Sequence, residues 1–173
     1  MKRNLTLPFL TLVSILLVGC GSESDSNPNP VPAVTSPCEL NAGITGSLTQ
    51  ELTYTAREGC GGSYRDELFA SSFGDGRSQI QVTIIADGVP AGEKIANRPV
   101  SIRISHPDGR TWKSAGGNCH FDVTLNEKSV RGKETWYQIA GNGSCKTPIE
   151  SETPGMESIT IQNFSLKFLA LKI

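Results

Sequence analysis

CHFDVTLNEKSVRGKETWYQIAGNGSC, residues 119 to 145, is the stretch whose reading decides the fold. Cys119, Phe121, Val123 and Leu125 share one parity, and Tyr137, Ile139, Gly141, Gly143 and Cys145 share it too. A period of two is the mark of a strand with one buried face. A reversal centred on Gly132 sets Leu125 opposite Ile139, Val123 opposite Gly141, Phe121 opposite Gly143 and Cys119 opposite Cys145. Cβ atoms of directly opposed residues lie about 4.5–5.5 Å apart, and slight closing brings two cysteines within disulfide reach. The stretch therefore predicts a hairpin stapled by Cys119–Cys145. Its other face carries His120, Asp122, Thr124, Trp136 and Gln138.

The flanking sequence has the same grain. Leu48, Leu52 and Tyr54 predict a strand over 47–54, Cys60-Gly61-Gly62-Ser63 a loop, and 68–72 a short strand. Ile80, Val82 and Ile84 alternate with Gln81 and Thr83, and Val100, Ile102 and Ile104 alternate with Ser101 and Arg103. Pro107-Asp108-Gly109 is a turn by its chemistry, with 110–114 returning through Trp112. Asp75-Gly76 and Asp87-Gly88 are further turns. Gly61-Gly62, Gly116-Gly117 and the Gly141, Gly143 pair read as turn or close-packing glycines, since none opens a helix as a phosphate loop would. The tail alternates through Ile159 and Ile161, then changes parity at Asn163 to Phe164, Leu166, Phe168 and Ala170, which predicts a bulge or bend. From Phe168 onward both parities are apolar, so the last strand is expected to be central and covered on both faces. About eight short strands and no helical period give an all-β fold, an antiparallel β-sandwich with a small barrel as the alternative.

The first twenty residues are of another kind. Lys2 and Arg3 precede an apolar run, Leu5 to Val18, of about fourteen residues, short of the roughly 20 that span a bilayer. Leu17-Val18-Gly19-Cys20 resembles the lipobox of bacterial lipoproteins. That resemblance implies a signal peptide over 1–19, cleavage before Cys20, and acylation of the Cys20 thiol and of its new amino group. Gly21, in place of aspartate, implies sorting to the outer membrane. Residues 20–37 contain four prolines and no apolar periodicity, and read as a disordered tether reaching roughly 20–25 Å. A single β domain is expected over 38–173.

The sequence has five cysteines. With Cys20 given to lipid, the remaining four fit two disulfides, and Cys119–Cys145 leaves Cys38–Cys60 by elimination. Each is expected to stabilise by about 3 kcal/mol through loop closure. Two such bridges suit an oxidising periplasm, hence the cell envelope of a Gram-negative host.

Removing 19 of 173 residues leaves 154, enough for one domain. The 16 basic residues lose Lys2 and Arg3, leaving 14 against 17 acidic, and no basic run survives. No nucleic-acid partner is expected, because the phosphate-binding footprint is missing. A serine hydrolase would need a Gly-x-Ser-x-Gly elbow with a histidine base, and neither is present in convincing form. His106 precedes a turn. His120 and Asp122 share a face and could offer two metal ligands, but no third is evident, so no catalytic residue, metal or cofactor is assigned.

Trp136, with Gln138, His120 and Asp122, and secondarily Trp112, form the candidate binding face. The expected role is a membrane-anchored envelope lipoprotein serving as a non-enzymatic binding or structural module. Its partners would be the membrane, through lipid, and an envelope protein or cell-wall glycan. The alternatives are an inhibitor of a periplasmic hydrolase and a metal-dependent hydrolase using His120 and Asp122. Cys20→Ser is expected to release the protein from the membrane fraction into the soluble periplasm. Persistence in the membrane fraction on immunoblotting would contradict lipid anchoring.

Overall fold

Alternation of apolar residues builds nearly every element of the structure, a computed structural model that describes residues 37–55 and 59–173. Cys20, the expected signal peptide and all of the expected tether but Pro37 lie outside the described residues. The described chain forms eleven strands and no helix. In order they are β1 (Glu39–Gly46), β2 (Gln50–Tyr54), β3 (Cys60–Arg65), β4 (Leu68–Phe73), β5 (Gln81–Ala86) and β6 (Arg98–Ser105), followed by β7 (Thr111–Lys113), β8 (Cys119–Arg131), β9 (Glu134–Cys145), β10 (Glu150–Ser151) and β11 (Ile159–Lys172).

Seven of them close on themselves: β3, β4, β5, β6, β8, β9 and β11, each hydrogen-bonded to the next, with β11 returning to β3. The closing pair is parallel, Leu171 beside Ser63 and Lys172 beside Tyr64. β1 and β2 extend outward from β11, and β7 and β10 from β6. The expected antiparallel sandwich is therefore matched only in part. All-β character and the disulfides Cys38–Cys60 and Cys119–Cys145 are present, but the chain closes as a barrel, the alternative. Closure satisfies backbone groups that sandwich edges would expose.

Two strands make closure work by changing neighbours. One edge of β11 pairs with β1 from Ile159 to Lys167 and is then taken over by β3. β6 pairs one edge with β8 at Arg98, Pro99 and Val100, and then with β7 from Arg103 to Ser105. The parity change in the tail is a bulge as expected: Ala42 faces Phe164 and Ile44 faces Ile161, so β11 spends two residues, Gln162 and Asn163, where β1 spends one. Ile161 and Phe164 consequently both point inward and are buried. Phe168, Leu169 and Ala170 are buried in succession, but Ile173 is 66% exposed, so double coverage ends before the C-terminus.

The β8–β9 hairpin keeps the expected register at its stapled end, with Cys119 opposite Cys145, Phe121 opposite Gly143 and Val123 opposite Gly141. Beyond Val123 it departs, because Thr124 is an extra residue on β8. Leu125 then faces Ala140, Ile139 faces Asn126, and the turn is Gly132-Lys133 rather than centred on Gly132. The bulge turns Asn126 inward, where its amide donates to Pro90 O (2.8 Å) and Glu93 O (3.3 Å). Other corrections are local. Cys60 to Ser63 is the start of β3, not a loop, and the expected 47–54 strand is only β2. β1 is an unexpected strand, built on Leu40, Ala42 and Ile44.

The interior centres on five phenylalanines. Phe69 lies 5.8 Å from Phe121 and 5.5 Å from Phe168, Phe73 lies 6.4 Å from Phe168, and Phe121 stacks on Phe164 at 6.0 Å with planes 5° apart. Gly143 is paired with both Phe121 and Phe164. A Cβ on it would stand 2.1 Å from Phe164 Cζ and 2.5 Å from His120 O, so the two rings meet only because that position has no side chain. Tyr64, 4.3 Å from Tyr137, donates to Val89 O and has its phenol pushed up to about 12 by burial and then by Tyr137, Glu67 and Glu93.

Gly143→Ala is expected to cost at least about 2 kcal/mol in urea unfolding with disulfides intact. Gly61→Ala, whose Cβ would meet nothing within 4 Å, is expected to stay within about 0.5 kcal/mol. Equal stabilities for the two variants would contradict the packing described.

Candidate functional site

Turning Leu40, Ala42, Leu52, Tyr54, Phe164, Leu166, Phe121 and Val123 inward commits the intervening residues of β2, β1, β11, β9 and β8 to one outer face. Across these five strands a single row runs in register. Thr53 pairs with Asn41, Asn41 with Ser165, Ser165 with Asn142, and Asn142 with Asp122. At a strand spacing of about 4.8 Å the row spans roughly 19 Å.

The floor beside the row mixes small residues with longer polar ones. Gly43 and Asn163 lie on one side of it, and Ala140, Thr124 and the Glu39, Lys167 pair on the other. Two adjoining hollows, of about 450 and 200 Å³, share Asn41, Asn142 and Ser165. Glu51 lies beside Gly43, where a Cβ would stand 2.9 Å from its Oε1. Among the described residues, the Asn41, Asn142 and Asn163 amides make no hydrogen bond to protein, and all three are exposed. The face thus offers uncommitted donors and acceptors held by a rigid sheet.

The residues expected from sequence to form the site are distributed along this face rather than gathered on it. Asp122 is at the end of the row, and its Oδ1 accepts the Asn97 amide at 2.6 Å, which ties the segment before β6 to β8. His120 is half-buried between Ser144 and Pro99, with Nδ1 buried and without a hydrogen-bond partner. Gln138 lies between Glu127 and Leu169. Trp136 lies between Ser129 and Leu171, its Nε1 donating to Glu134 Oε2 at 3.1 Å. Six residues of β9 separate it from Asn142, about 20 Å of strand, so it stands outside the row.

Trp112 is removed from the binding face. It is fully buried, its Nε1 donates to Glu157 O at 3.1 Å, and the Arg110 guanidinium sits 5.5 Å over the ring. Alternation in β7 carried it inward with Ile104, its partner on β6. Among the described residues no three His, Cys, Asp or Glu side chains come together as a metal site, so His120 and Asp122 gain no third ligand there.

Asn41, Thr53, Ser165 and Asn142 were not singled out from sequence. Asn41 was legible in principle, as the polar residue between Leu40 and Ala42. Placing it beside Ser165 and Asn142 requires the strand order, which no local pattern supplies. No family model, no curated protein and no solved structure matches the chain.

Proposed function

We propose that the chain is a lipid-anchored protein of the bacterial cell envelope whose β domain is a non-enzymatic module that binds cell-wall glycan on the outer face of β2, β1, β11, β9 and β8. The observation that carries this reading is the row Thr53, Asn41, Ser165, Asn142, Asp122. Sugar hydroxyls and N-acetyl groups need partners that both donate and accept, and side-chain amides and hydroxyls do both. Four of the five residues in the row are uncharged, as suits a polyol backbone. Because the row is fixed by backbone pairing, little backbone or loop entropy is lost on binding. A glycan laid across the strands would follow the two hollows for roughly 19 Å, long enough for several rings. The lipobox resemblance and the two disulfides support an envelope setting, and a tether at Cys20 would keep the domain within reach of the wall.

Co-sedimentation of the protein with purified peptidoglycan sacculi tests the reading. Each hydrogen bond lost is worth about 0.5–1.5 kcal/mol, so Asn41→Ala with Asn142→Ala is expected to weaken binding about tenfold or more. Sacculi that fail to retain the wild-type protein, or retain the double variant equally well, would overturn the glycan assignment.

A further inference from the structure

Away from the row, the same alternation builds a second outer face, on β5, β6 and β7. Val82 and Ile84, Ile102 and Ile104, and Trp112 turn inward, so Gln81, Thr83 and Ile85, then Ser101, Arg103 and Ser105, then Lys113 turn outward. The register sets them in a grid. Gln81 pairs with Ser105, Thr83 with Arg103, Ile85 with Ser101, and Arg103 on its other side with Lys113. Together they line a hollow of about 330 Å³, which shares no residue with the two hollows of the first face.

Charge sets this hollow apart. Arg103 and Lys113 stand directly opposite each other, an arrangement of like charges that costs a sheet stability. Among the described residues no carboxylate lines the hollow. Two acids lie to one side of it: Glu152 Oε2 is 3.1 Å from Arg103 Nη2, and Glu150 is the β10 partner of Lys113. A guanidinium carries five donors, more than one carboxylate occupies. Lys113 is exposed and, among the described residues, in no ion pair. The hollow therefore holds two cations and only part of one counter-charge.

Its neutral residues divide into a polar and an apolar part. The hydroxyls of Thr83, Ser101 and Ser105 flank Arg103, and among the described residues they make no hydrogen bond to protein. Ile85, 39% exposed, lies two residues along β5 from Thr83, about 7 Å away. A carboxylate suits the polar part, because it is planar, pairs with arginine through two parallel bonds, and has lone pairs left for lysine and hydroxyl donors. A hydrocarbon chain leading away from it would cover Ile85. At about 330 Å³ the hollow is at the small end of ligand sites, which suits a small molecule and not a polymer.

We propose that the hollow on β5, β6 and β7 binds a small organic acid, its carboxylate held between Arg103 and Lys113 and its hydrocarbon part laid over Ile85. This site depends neither on the glycan assignment nor on the lipid anchor.

Titration of the isotope-labelled protein with sodium hexanoate in low-salt buffer, followed by nuclear magnetic resonance, tests the proposal. Amide shifts are expected to saturate and to centre on Thr83, Ile85, Ser101, Arg103 and Lys113. Hexanol, which keeps the chain and lacks the charge, is expected to bind about tenfold or more weaker. Acetate, which keeps the charge and lacks the chain, is expected to bind about fivefold or more weaker. Arg103→Gln with Lys113→Gln, both at exposed sites, is expected to weaken hexanoate binding at least about tenfold while the rest of the spectrum stays in place. Glu152→Gln removes the competing carboxylate and is expected to tighten it. Shifts that fail to saturate, that fall outside this face, or that the double variant reproduces in full would overturn the proposal, as would hexanol binding as tightly as hexanoate.

Discussion

Gly143 lacks a side chain, and for that reason Phe121 and Phe164 can stack across it from β8 and β11. The stack fixes the register of three adjacent strands at once, because a shift by one residue would put a Cβ or a polar side chain where the rings meet. β9, carrying the glycine, becomes the middle of a sheet. β11 can then run on past β1 to reach β3, and this contact closes the ring. The glycine gives up strand propensity and backbone entropy, and aromatic packing across it offsets that loss.

The outer face follows from the inner one. Since side chains alternate, fixing Phe121, Gly143, Phe164, Ala42 and Leu52 on the inside leaves Asp122, Asn142, Ser165, Asn41 and Thr53 aligned outside. The bulge at Gln162 and Asn163 and the extra residue at Thr124 change parity on two strands without breaking this alignment. Each lies to one side of the row, not within it. Binding geometry and core geometry are thus one constraint expressed on two surfaces. The Cys119–Cys145 bridge, two residues from Phe121 and Gly143, pins the end of the hairpin at which both begin.

Much of this was legible in the sequence wherever the pattern is local. Strict alternation at 119–125 and 137–145 gave the hairpin, its disulfide and three of four pairs, and the parity change at Asn163 gave the bulge. The bulge at Thr124 was not legible, because Leu125 and Asn126 offer no sign of which one turns inward until the loop carrying Pro90 and Glu93 is there to bind the amide. Trp112 was assigned outward although its partner Ile104 was assigned inward. An aromatic residue with one polar atom fits either face, and a carbonyl from Glu157, far along the chain, decided it. Closure was least legible of all. Two pairs of a parallel ladder between β3 and β11 join residues 108 apart in sequence (171 − 63), and the glycines of β3 read more naturally as a loop.

Backbone contacts measured by nuclear magnetic resonance on isotope-labelled protein test the closed ring most directly. Closure predicts parallel-type amide to Hα contacts joining Ser63 and Tyr64 with Leu171 and Lys172, together with close Hα contacts or amide contacts linking Gly143 to both Phe121 and Phe164. If β3 and β11 give no contact while the β8–β9–β11 pairing remains, the sheet is open and the barrel described here is contradicted.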